Sequence, residues 1–260
     1  MDKVGRYVFD AESFHCDLSH RLFMGHLGNH LLNAADRHSA ARGFGMPALA
    51  PLHMTWVLSR LAIEMDEMPL QYTQFAVETW IEDAVRLFTR RNFRISDAAT
   101  DRTLGYGRSI WAMIDTTTRQ PQDITAAADG AIMQWTEPDK PCPIESPSRV
   151  SVSNSAQPAG TVNTKYSDID VNGHVNSIKY IEHVLDTFDA RWHASHTIRR
   201  IDVAYVAESR WGDSLTLSRA TAADGSSNVS ITRHRDGDKD ETEVCRCRIT
   251  FNDTSTNKHR

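Results

Sequence analysis

The sequence predicts an α+β protein in which one arrangement, a long amphipathic helix followed by four strands, occurs twice. Three observations support this prediction. Two segments carry apolar residues every three or four positions, each is followed by four strand-like segments, and aligned positions keep a nearly constant spacing. An antiparallel sheet packed on a helix is an α+β arrangement. We therefore expect two helix-and-sheet repeats in tandem.

The two helices are predicted from a spacing that places apolar side chains on one face. The positions are Phe23, Leu27, Leu31 and Ala34 in the first helix, between residues 20 and 41, and Ile178, Ile181, Leu185 and Phe188 in the second, between residues 176 and 192. Each helix should pack its apolar face on a sheet.

Four segments after each helix alternate in polarity or are rich in β-branched and aromatic residues, which favours strands. The first four are residues 53–65, 75–81, 86–96 and 103–115, and the second four are residues 196–208, 214–221, 228–235 and 242–251. A further short strand is expected before each helix, at residues 6–12 and 159–166. The order of elements is therefore the same in both halves.

The spacing of the two repeats predicts the domain boundaries. The strands align with an offset of 140 residues (200 minus 60, from Arg60 and Arg200), whereas the helices align with an offset of 154 (181 minus 27). We assign the difference to residues 41–52, a loop containing Gly and Pro. The predicted organisation is an N-terminal repeat at 1–130, a polar, Pro-rich linker at 131–158, a C-terminal repeat at 159–254 and a polar tail at 255–260.

Composition and charge exclude several classes of protein. Of the 260 residues, 40% are apolar and 24% are charged, with a net charge of -5 and a pI near 6.2. This balance favours neither a nucleic acid nor an anionic membrane as partner. We find no secretion signal and no apolar run of about eighteen residues, so we expect a cytoplasmic protein. Its four cysteines should be reduced.

The segment DIDVNGHV, residues 168–175, matches the first, third, fifth and sixth positions of a calcium-binding EF-hand loop. The twelfth position, however, is Lys179 where a bidentate glutamate is required, and the preceding TVNTKY favours a strand rather than a helix. We therefore expect a turn between a strand and the second helix, with no metal. Unpaired N–H groups at the beginning of that helix would favour negative charge developing beside His174.

Two blocks resemble the acyl-acyl carrier protein thioesterases of plastids and bacteria. YSDIDVNGHVNSIKYIEHVLD, residues 166–186, is similar to that family's D-x-D-V-N-Q-H-V-N-N-x-K-Y-I, and YVAESRWGDSL, residues 205–215, to its Y-x-x-E-C-x-x-G-D-x-L. The resemblance implies a tandem (double) hotdog fold and hydrolysis of acyl-acyl carrier protein thioesters, which ends fatty-acid synthesis. The implied partner is acyl carrier protein with its phosphopantetheine-linked acyl chain. No cofactor is implied, and a homodimer is left open.

Carried over residue by residue, the resemblance makes Asp170, Asn172, His174 and Glu208 the catalytic set. A thioester attacked by water needs a base and donors for the oxyanion. We expect Glu208 to be the base, His174 and Asn172 to position the water or the carbonyl, and Asp170 to orient that pair. Ser209 is a secondary candidate because it stands where many members have cysteine, a departure that weakens a thiolate mechanism.

The first repeat is expected to lack this chemistry and to shape the acyl-chain cavity. At the offset of 154 its residues are Cys16, Leu18 and His20, and Met68 aligns with Glu208 (208 minus 140). A basic stretch in this repeat is a candidate docking patch for the acidic carrier protein, with a solvated strand edge as the alternative. Its residues are Arg86, Arg90, Arg91 and Arg94.

Two other functions remain open from the sequence. An acyl-CoA thioesterase would use the same fold and the same cavity with another carrier. A non-catalytic acyl-binding protein would keep the scaffold, and its expected signature is loss of part of the catalytic set. All four residues of that set are present.

Overall fold

The structure is a computed structural model, and it describes residues 2–151, 155–235, 237 and 240–253. The chain divides into two compact units, Met1–Pro147 (unit 1) and Ser148–Arg260 (unit 2). Each unit contains one antiparallel sheet and one longer helix, so the predicted α+β plan of two repeats is confirmed. The predicted polar tail, residues 255–260, lies outside the described residues.

Unit 1 is a five-stranded antiparallel sheet with a long helix. The strands are β1 (Gly5–Asp10), β2 (Met54–Met65), β3 (Gln74–Ala84), β4 (Thr89–Asp97) and β5 (Thr103–Asp115), and their order in the sheet is β1-β3-β4-β5-β2. Helix α1 (Met24–Ala40) buries Leu27, Leu31 and Ala34, the face that the sequence predicts. A Cβ added at Gly107 would lie 3.4 Å from a methyl group of Leu31, so the helix packs closely on β5.

The predicted loop at 41–52 contains a short helix, α2 (Met46–Leu49), and a 3-10 turn (Ala50–Leu52). Phe44 and Leu49 are buried in an apolar cluster with Ile81 and Met113 of the sheet. The extra chain of the first repeat is therefore part of the core of unit 1, and burial of its apolar side chains stabilises it there.

The predicted linker is not a free connector over its first half. Ile144 is buried, and its carbonyl accepts a hydrogen bond from Nη1 of Arg108 at 3.0 Å. The Lys140 ammonium lies 5.0 Å from the ring centre of Trp80, whose Nε1 donates to the Lys140 carbonyl at 3.2 Å. These contacts hold residues 140–144 on the sheet of unit 1.

Unit 2 repeats the plan. Its strands are β6 (Gln157–Asn163), β7 (His196–Tyr205), β8 (Ser214–Thr221), β9 (Ser227–His234) and β10 (Thr242–Asp253), and their order is β7-β10-β9-β8-β6. Helix α3 (Ser177–Leu185) buries Ile178, Ile181 and Leu185. All four cysteines of the chain are free thiols.

The second predicted helix, 176–192, is wrong in its length. Helix α3 ends at Leu185, and a separate helix, α4 (Ala190–Ser195), follows. The reason is Asp189, whose side chain accepts the N–H of Trp192 at 2.7 Å and so caps a new helix. Among the described residues, none of the helices has the length and apolar character that a membrane crossing requires.

Candidate active site

The turn between β6 and α3, residues 169–175, is closed by its own backbone. Ile169 and Val175 pair as an antiparallel bridge, and the Asp170 N–H donates to the His174 carbonyl at 2.8 Å. The Gly173 N–H donates to the Asp170 carbonyl at 3.0 Å, and Gly173 has φ +78°, a conformation that favours glycine. The turn therefore has one defined shape.

Asp170 holds this turn with its side chain as well. Its Oδ1 accepts the backbone N–H of Asn172 at 2.8 Å and that of His174 at 3.3 Å. This is the usual turn chemistry of aspartate. Asp170 thus positions Asn172 and His174 through their backbone N–H groups, not through their side chains.

The calcium alternative fails on the structure of the loop. A 3-10 turn (Tyr166–Asp168) and strand β6 precede it, where an EF-hand requires a helix. Asp168 is buried, and its Oδ2 accepts the N–H of Lys165 at 2.7 Å. Asp168 is therefore a structural residue of the turn.

Helix α3 begins immediately after the turn. The side chain of Asn176 accepts the N–H of Ile178 at 2.9 Å and caps the helix, and the Asn176 N–H donates to the Asp168 carbonyl at 2.8 Å. The positive end of the helix therefore faces the segment that carries His174.

The second sequence block lies beside this turn. The Val175 N–H donates to the Ser209 carbonyl at 2.8 Å, and Nη1 of Arg233 on β9 donates to the Glu208 carbonyl at 2.6 Å. These bonds fix the chain after β7 and bring Nε2 of His174 to 3.2 Å from Oε2 of Glu208. The two side chains are 19% and 37% exposed, so the pair is reachable from solvent.

The other predicted residues lie on the same two segments as this pair. Asn172 is exposed on the turn, two residues before His174. Ser209 follows Glu208 but is buried, and its hydroxyl faces the buried hydroxyl of Tyr180. Neither hydroxyl makes a well-formed hydrogen bond to a described residue. Burial raises the pKa of Tyr180 to about 12, so its hydroxyl stays protonated and offers Ser209 no base.

Unit 1 contains the same turn, and its alignment corrects the sequence prediction by one residue. The Asp17 N–H donates to the Arg21 carbonyl at 2.8 Å, and Asp17 Oδ1 accepts the N–H of Ser19 at 2.8 Å, as Asp170 does for Asn172. The offset of turn and helix is therefore 153 (170 minus 17), so the counterparts of Asp170, Asn172 and His174 are Asp17, Ser19 and Arg21. The sequence alignment at an offset of 154 names the residues one position earlier, Cys16, Leu18 and His20.

The strand offset of 140 agrees with the structure. The Leu22 N–H donates to the Pro69 carbonyl at 2.9 Å, as the Val175 N–H does to the Ser209 carbonyl (209 minus 69 is 140). Met68 therefore stands where unit 2 has Glu208. At this turn the Arg21 guanidinium lies 3.9 Å from Glu67, in place of the His174–Glu208 contact.

The predicted basic docking patch is wrong for Arg91. This residue is 3% exposed and donates to the hydroxyls of Ser39 at 2.8 Å and Thr79 at 3.1 Å, inside unit 1. The reason is the alternation of a strand, which turns Arg91 to the same face as the buried Phe93. A side chain in this position cannot touch a partner protein.

The other three arginines reach the surface, but acidic side chains accompany them. Arg90 donates Nε to Asp83 at 3.0 Å, and Arg94 lies 3.4 Å from Glu78 and 3.1 Å from Asp101. Arg86 precedes β4 and lies 3.5 Å from Asp123. Strand β4 is also flanked by β3 and β5, so the alternative of a sheet edge is wrong. Docking through these three residues stays a prediction.

Sequence reasoning missed two residues that shape this site, Tyr180 and Arg233. Tyr180 lies four residues after the cap residue Asn176, a spacing that puts it one turn along the same helix face. That spacing could have identified it. Arg233 comes from a distant strand, and its proximity to Glu208 depends on the pairing of β9 with β10.

A surface cleft of about 440 Å³ lies at the other end of α3. Its lining includes Phe188, Trp192 and Arg219, with the Arg219 guanidinium 4.4 Å from the ring centre of Phe188. None of the predicted catalytic residues lines it. This cleft is therefore separate from the His174–Glu208 pair.

Solved structures with the same architecture define the class of protein. The crystal structure of an acyl-ACP thioesterase from Bacteroides thetaiotaomicron matches with a TM-score of 0.85 and 48% identity, over 96% of this chain and 98% of that one. The 12:0-ACP thioesterase from Umbellularia californica matches with a TM-score of 0.81 and 22% identity, over 97% and 98%, and shows the fold. The class is that of the double hotdog thioester hydrolases.

Family models cover both repeats. The acyl-ACP thioesterase N-terminal domain matches residues 3–128, and the acyl-ACP thioesterase C-terminal domain matches residues 153–253. The chain belongs to the acyl-ACP thioesterase family.

Curated plant relatives agree with this family. Oleoyl-acyl carrier protein thioesterase 2, chloroplastic, of Arabidopsis thaliana is 26% identical over 88% of this chain. Palmitoyl-acyl carrier protein thioesterase, chloroplastic, of Gossypium hirsutum is 26% identical over 79%. The chain spans 69% of the length of the first relative and 52% of the second.

Proposed function

We propose that this protein hydrolyses the thioester bond of acyl-acyl carrier protein and so releases a free fatty acid, which ends fatty-acid synthesis. The contact between His174 and Glu208 at 3.2 Å carries this proposal. It joins a side chain that can donate a proton with a carboxylate that can accept one. His174 stands on the turn that begins α3 and Glu208 on the chain after β7, in a family whose members are named thioesterases.

In the proposed reaction, Glu208 takes a proton from a water molecule as the oxygen attacks the thioester carbonyl carbon. A tetrahedral intermediate forms, with negative charge on the former carbonyl oxygen. His174, Asn172 and the beginning of α3 offer donors and a positive dipole end to that charge. The C–S bond then breaks, and the proton held by Glu208 neutralises the thiolate of the carrier. The products are the carboxylic acid and the carrier thiol.

Ser209 has no part in this reaction. Its buried hydroxyl faces Tyr180 rather than a base, so a covalent acyl-serine step lacks the activation that a hydroxyl nucleophile needs. Glu208 and Ser209 are adjacent in sequence and therefore make a matched pair of test positions.

The test is thiol release from acyl carrier protein and CoA thioesters of graded chain length. Glu208→Gln should lose about 10²- to 10⁴-fold in kcat, the usual contribution of a general base, because the amide cannot accept the proton. Ser209→Ala should keep wild-type turnover. An inactive Ser209→Ala variant with a normal melting temperature would support a serine nucleophile instead.

The substrate panel also separates the other functions. Release from CoA thioesters alone would make the protein an acyl-CoA thioesterase on the same fold. Acyl binding without release would make it a binding protein. An acyl-chain cavity in unit 1, a cytoplasmic location and a homodimer stay predictions, and sedimentation of the purified protein would test the last of these.

A further inference from the structure

Large apolar side chains are exposed on the 169–175 turn of unit 2 and on the segments next to it. Tyr166 is 90% exposed, Trp211 is 74% exposed, and Val171 is completely exposed. Single exposed apolar residues are ordinary, but a group at one site marks an interaction surface. We call Tyr166, Val171 and Trp211 the apolar rim.

Hydrogen bonds hold the segments of the rim side by side. Thr164 donates its hydroxyl to the Arg210 carbonyl at 2.6 Å and its N–H to the Asp213 carbonyl at 2.9 Å. Tyr166 comes two residues after Thr164, and Trp211 comes directly after Arg210, so these bonds hold the two segments side by side. Val171 lies within the turn that also carries Asn172 and His174, and Trp211 comes three residues after Glu208. The rim thus lies on the same two chain segments as the His174–Glu208 pair.

The exposed charged residues of these segments are cations. In residues 163–176 and 206–213, Lys165 and Arg210 are exposed, whereas the carboxylates of Asp170 and Glu208 are half-buried. The two aspartates nearest to them, Asp168 and Asp213, are buried and hydrogen-bonded within the unit. The border of the site therefore offers aromatic surface and cations to a partner, a combination suited to an apolar patch surrounded by anionic groups.

We propose that the apolar rim, with Lys165 and Arg210, is the docking surface for acyl carrier protein. This inference rests on the proposed function, because the partner is the carrier whose thioester must reach His174 and Glu208. The phosphodiester of the carrier's prosthetic group is an anion next to the reacting thioester, so cations beside the site match it. The arginines near β4 that reach the surface, Arg86, Arg90 and Arg94, are accompanied by acidic side chains, whereas the rim residues lie on the same two segments as His174 and Glu208.

Unit 1 supplies a matched control at the equivalent turn. Leu18, at the position of Val171 (171 minus 153), is 85% exposed, and Tyr72 is also exposed. Arg6 on β1 is an exposed cation of unit 1. Substitutions there remove the same kind of side chain from a turn that lacks the His174–Glu208 contact.

The experiment compares binding and turnover in the full chain. Binding uses acyl carrier protein with the acyl group attached through an amide, which cannot be hydrolysed, and turnover uses acyl carrier protein and N-acetylcysteamine thioesters. Tyr166→Ser and Trp211→Ala should each weaken carrier binding and raise KM for the carrier substrate about tenfold or more. Turnover of the N-acetylcysteamine thioester should not change. Leu18→Ser and Tyr72→Ala should bind as wild type.

A second arm tests charge. Lys165→Glu and Arg210→Glu should weaken carrier binding at low salt and lose this effect as salt screens the charges, while Arg6→Glu should change neither. Carrier affinity equal to wild type in the rim variants would overturn the proposal. Equal losses on both thioesters would also overturn it, because the rim would then act on the site itself.

The outcomes separate docking from hydrolysis. Rim-dependent binding of the amide probe without thiol release would keep the docking surface and refute the proposed function. Thiol release by the wild-type protein, together with normal carrier binding by the rim variants, would keep the proposed function and refute the docking surface. A change in sedimentation of Trp211→Ala, with unchanged carrier binding, would assign the rim to a second copy of the chain and refute carrier docking.

Discussion

At the scale of single residues, burial decides what each arginine of β4 does. Arg90 and Arg91 are adjacent, but successive side chains of a strand point to opposite faces. Arg90 is paired with Asp83 in solvent, whereas Arg91 is buried and donates to two hydroxyls. Desolvation lowers the pKa of Arg91 to about 9, which shows that burial disfavours its charge. Both Ser39 and Thr79 also donate to backbone carbonyls.

We predict that Arg91→Met raises the free energy of unfolding by about 1 kcal/mol or more, because it replaces a buried charge without a carboxylate partner by an apolar side chain. Arg90→Met is the matched control and should lower the free energy of unfolding by less than about 1 kcal/mol, as for an exposed ion pair. Urea unfolding measures both. A clear loss of stability in Arg91→Met would show that its two hydrogen bonds outweigh the desolvation of its charge.

At the scale of the element, the turn before each long helix is one structure used twice. Asp17 and Asp170 close their turns with the same backbone hydrogen bond at 2.8 Å and the same side-chain acceptor. Only the turn of unit 2 carries a His–Glu contact between its counterpart positions. The aspartate therefore supports the turn in both units. Only Asp170 also affects the catalytic pair, because its side chain accepts the backbone N–H of His174.

We predict that Asp17→Ala and Asp170→Ala each lower the free energy of unfolding by about 1 kcal/mol, since each leaves backbone N–H groups without their acceptor. Only Asp170→Ala should also lower kcat, because His174 loses the bond that holds its backbone. Thiol release and urea unfolding of the two variants check this. Equal losses of turnover in both would assign the effect to general destabilisation.

At the scale of the whole molecule, buried histidines connect stability to pH. Burial lowers the pKa of His30 to about 4, with further effects from His15 and His26, and lowers that of His38 to about 3. Burial also lowers the pKa of His183 in unit 2. Each of these rings is neutral in the folded protein and takes up a proton more readily when the chain unfolds. Folding therefore lowers the pKa of buried histidines in both units.

We predict that stability falls as the pH drops below about 6.5, the ordinary pKa of histidine, because the unfolded chain then binds more protons than the folded one. For His30 the loss should continue to about pH 4 and amount to roughly 1.4 kcal/mol per pH unit. His30→Gln should flatten the curve of unfolding free energy against pH. His234→Gln, an exposed control at the end of β9, should leave it unchanged, and equal curves for all three proteins would refute the prediction.

Periodicity and turn chemistry in the sequence determined the α+β class, the two repeats and nearly all strand positions, because alternation and helical spacing are local properties of the chain. The two sequence blocks also identified Asp170, Asn172, His174 and Glu208 as the candidate set before their positions were known. The helix break at Leu185 was missed, since a cap such as Asp189 competes with helical spacing over only a few residues.

Only the tertiary structure decided which of these residues meet. The contact of His174 with Glu208 depends on the bond between Val175 and Ser209, which joins segments distant in sequence. The hydrogen bonds within each turn gave the offset of 153 between the two turns, and the face of β4 that packs inside unit 1 placed Arg91 out of reach of a partner. These contacts depend on which faces of the strands and helices pack together. The sequence pattern of a single strand does not specify which strands become its neighbours.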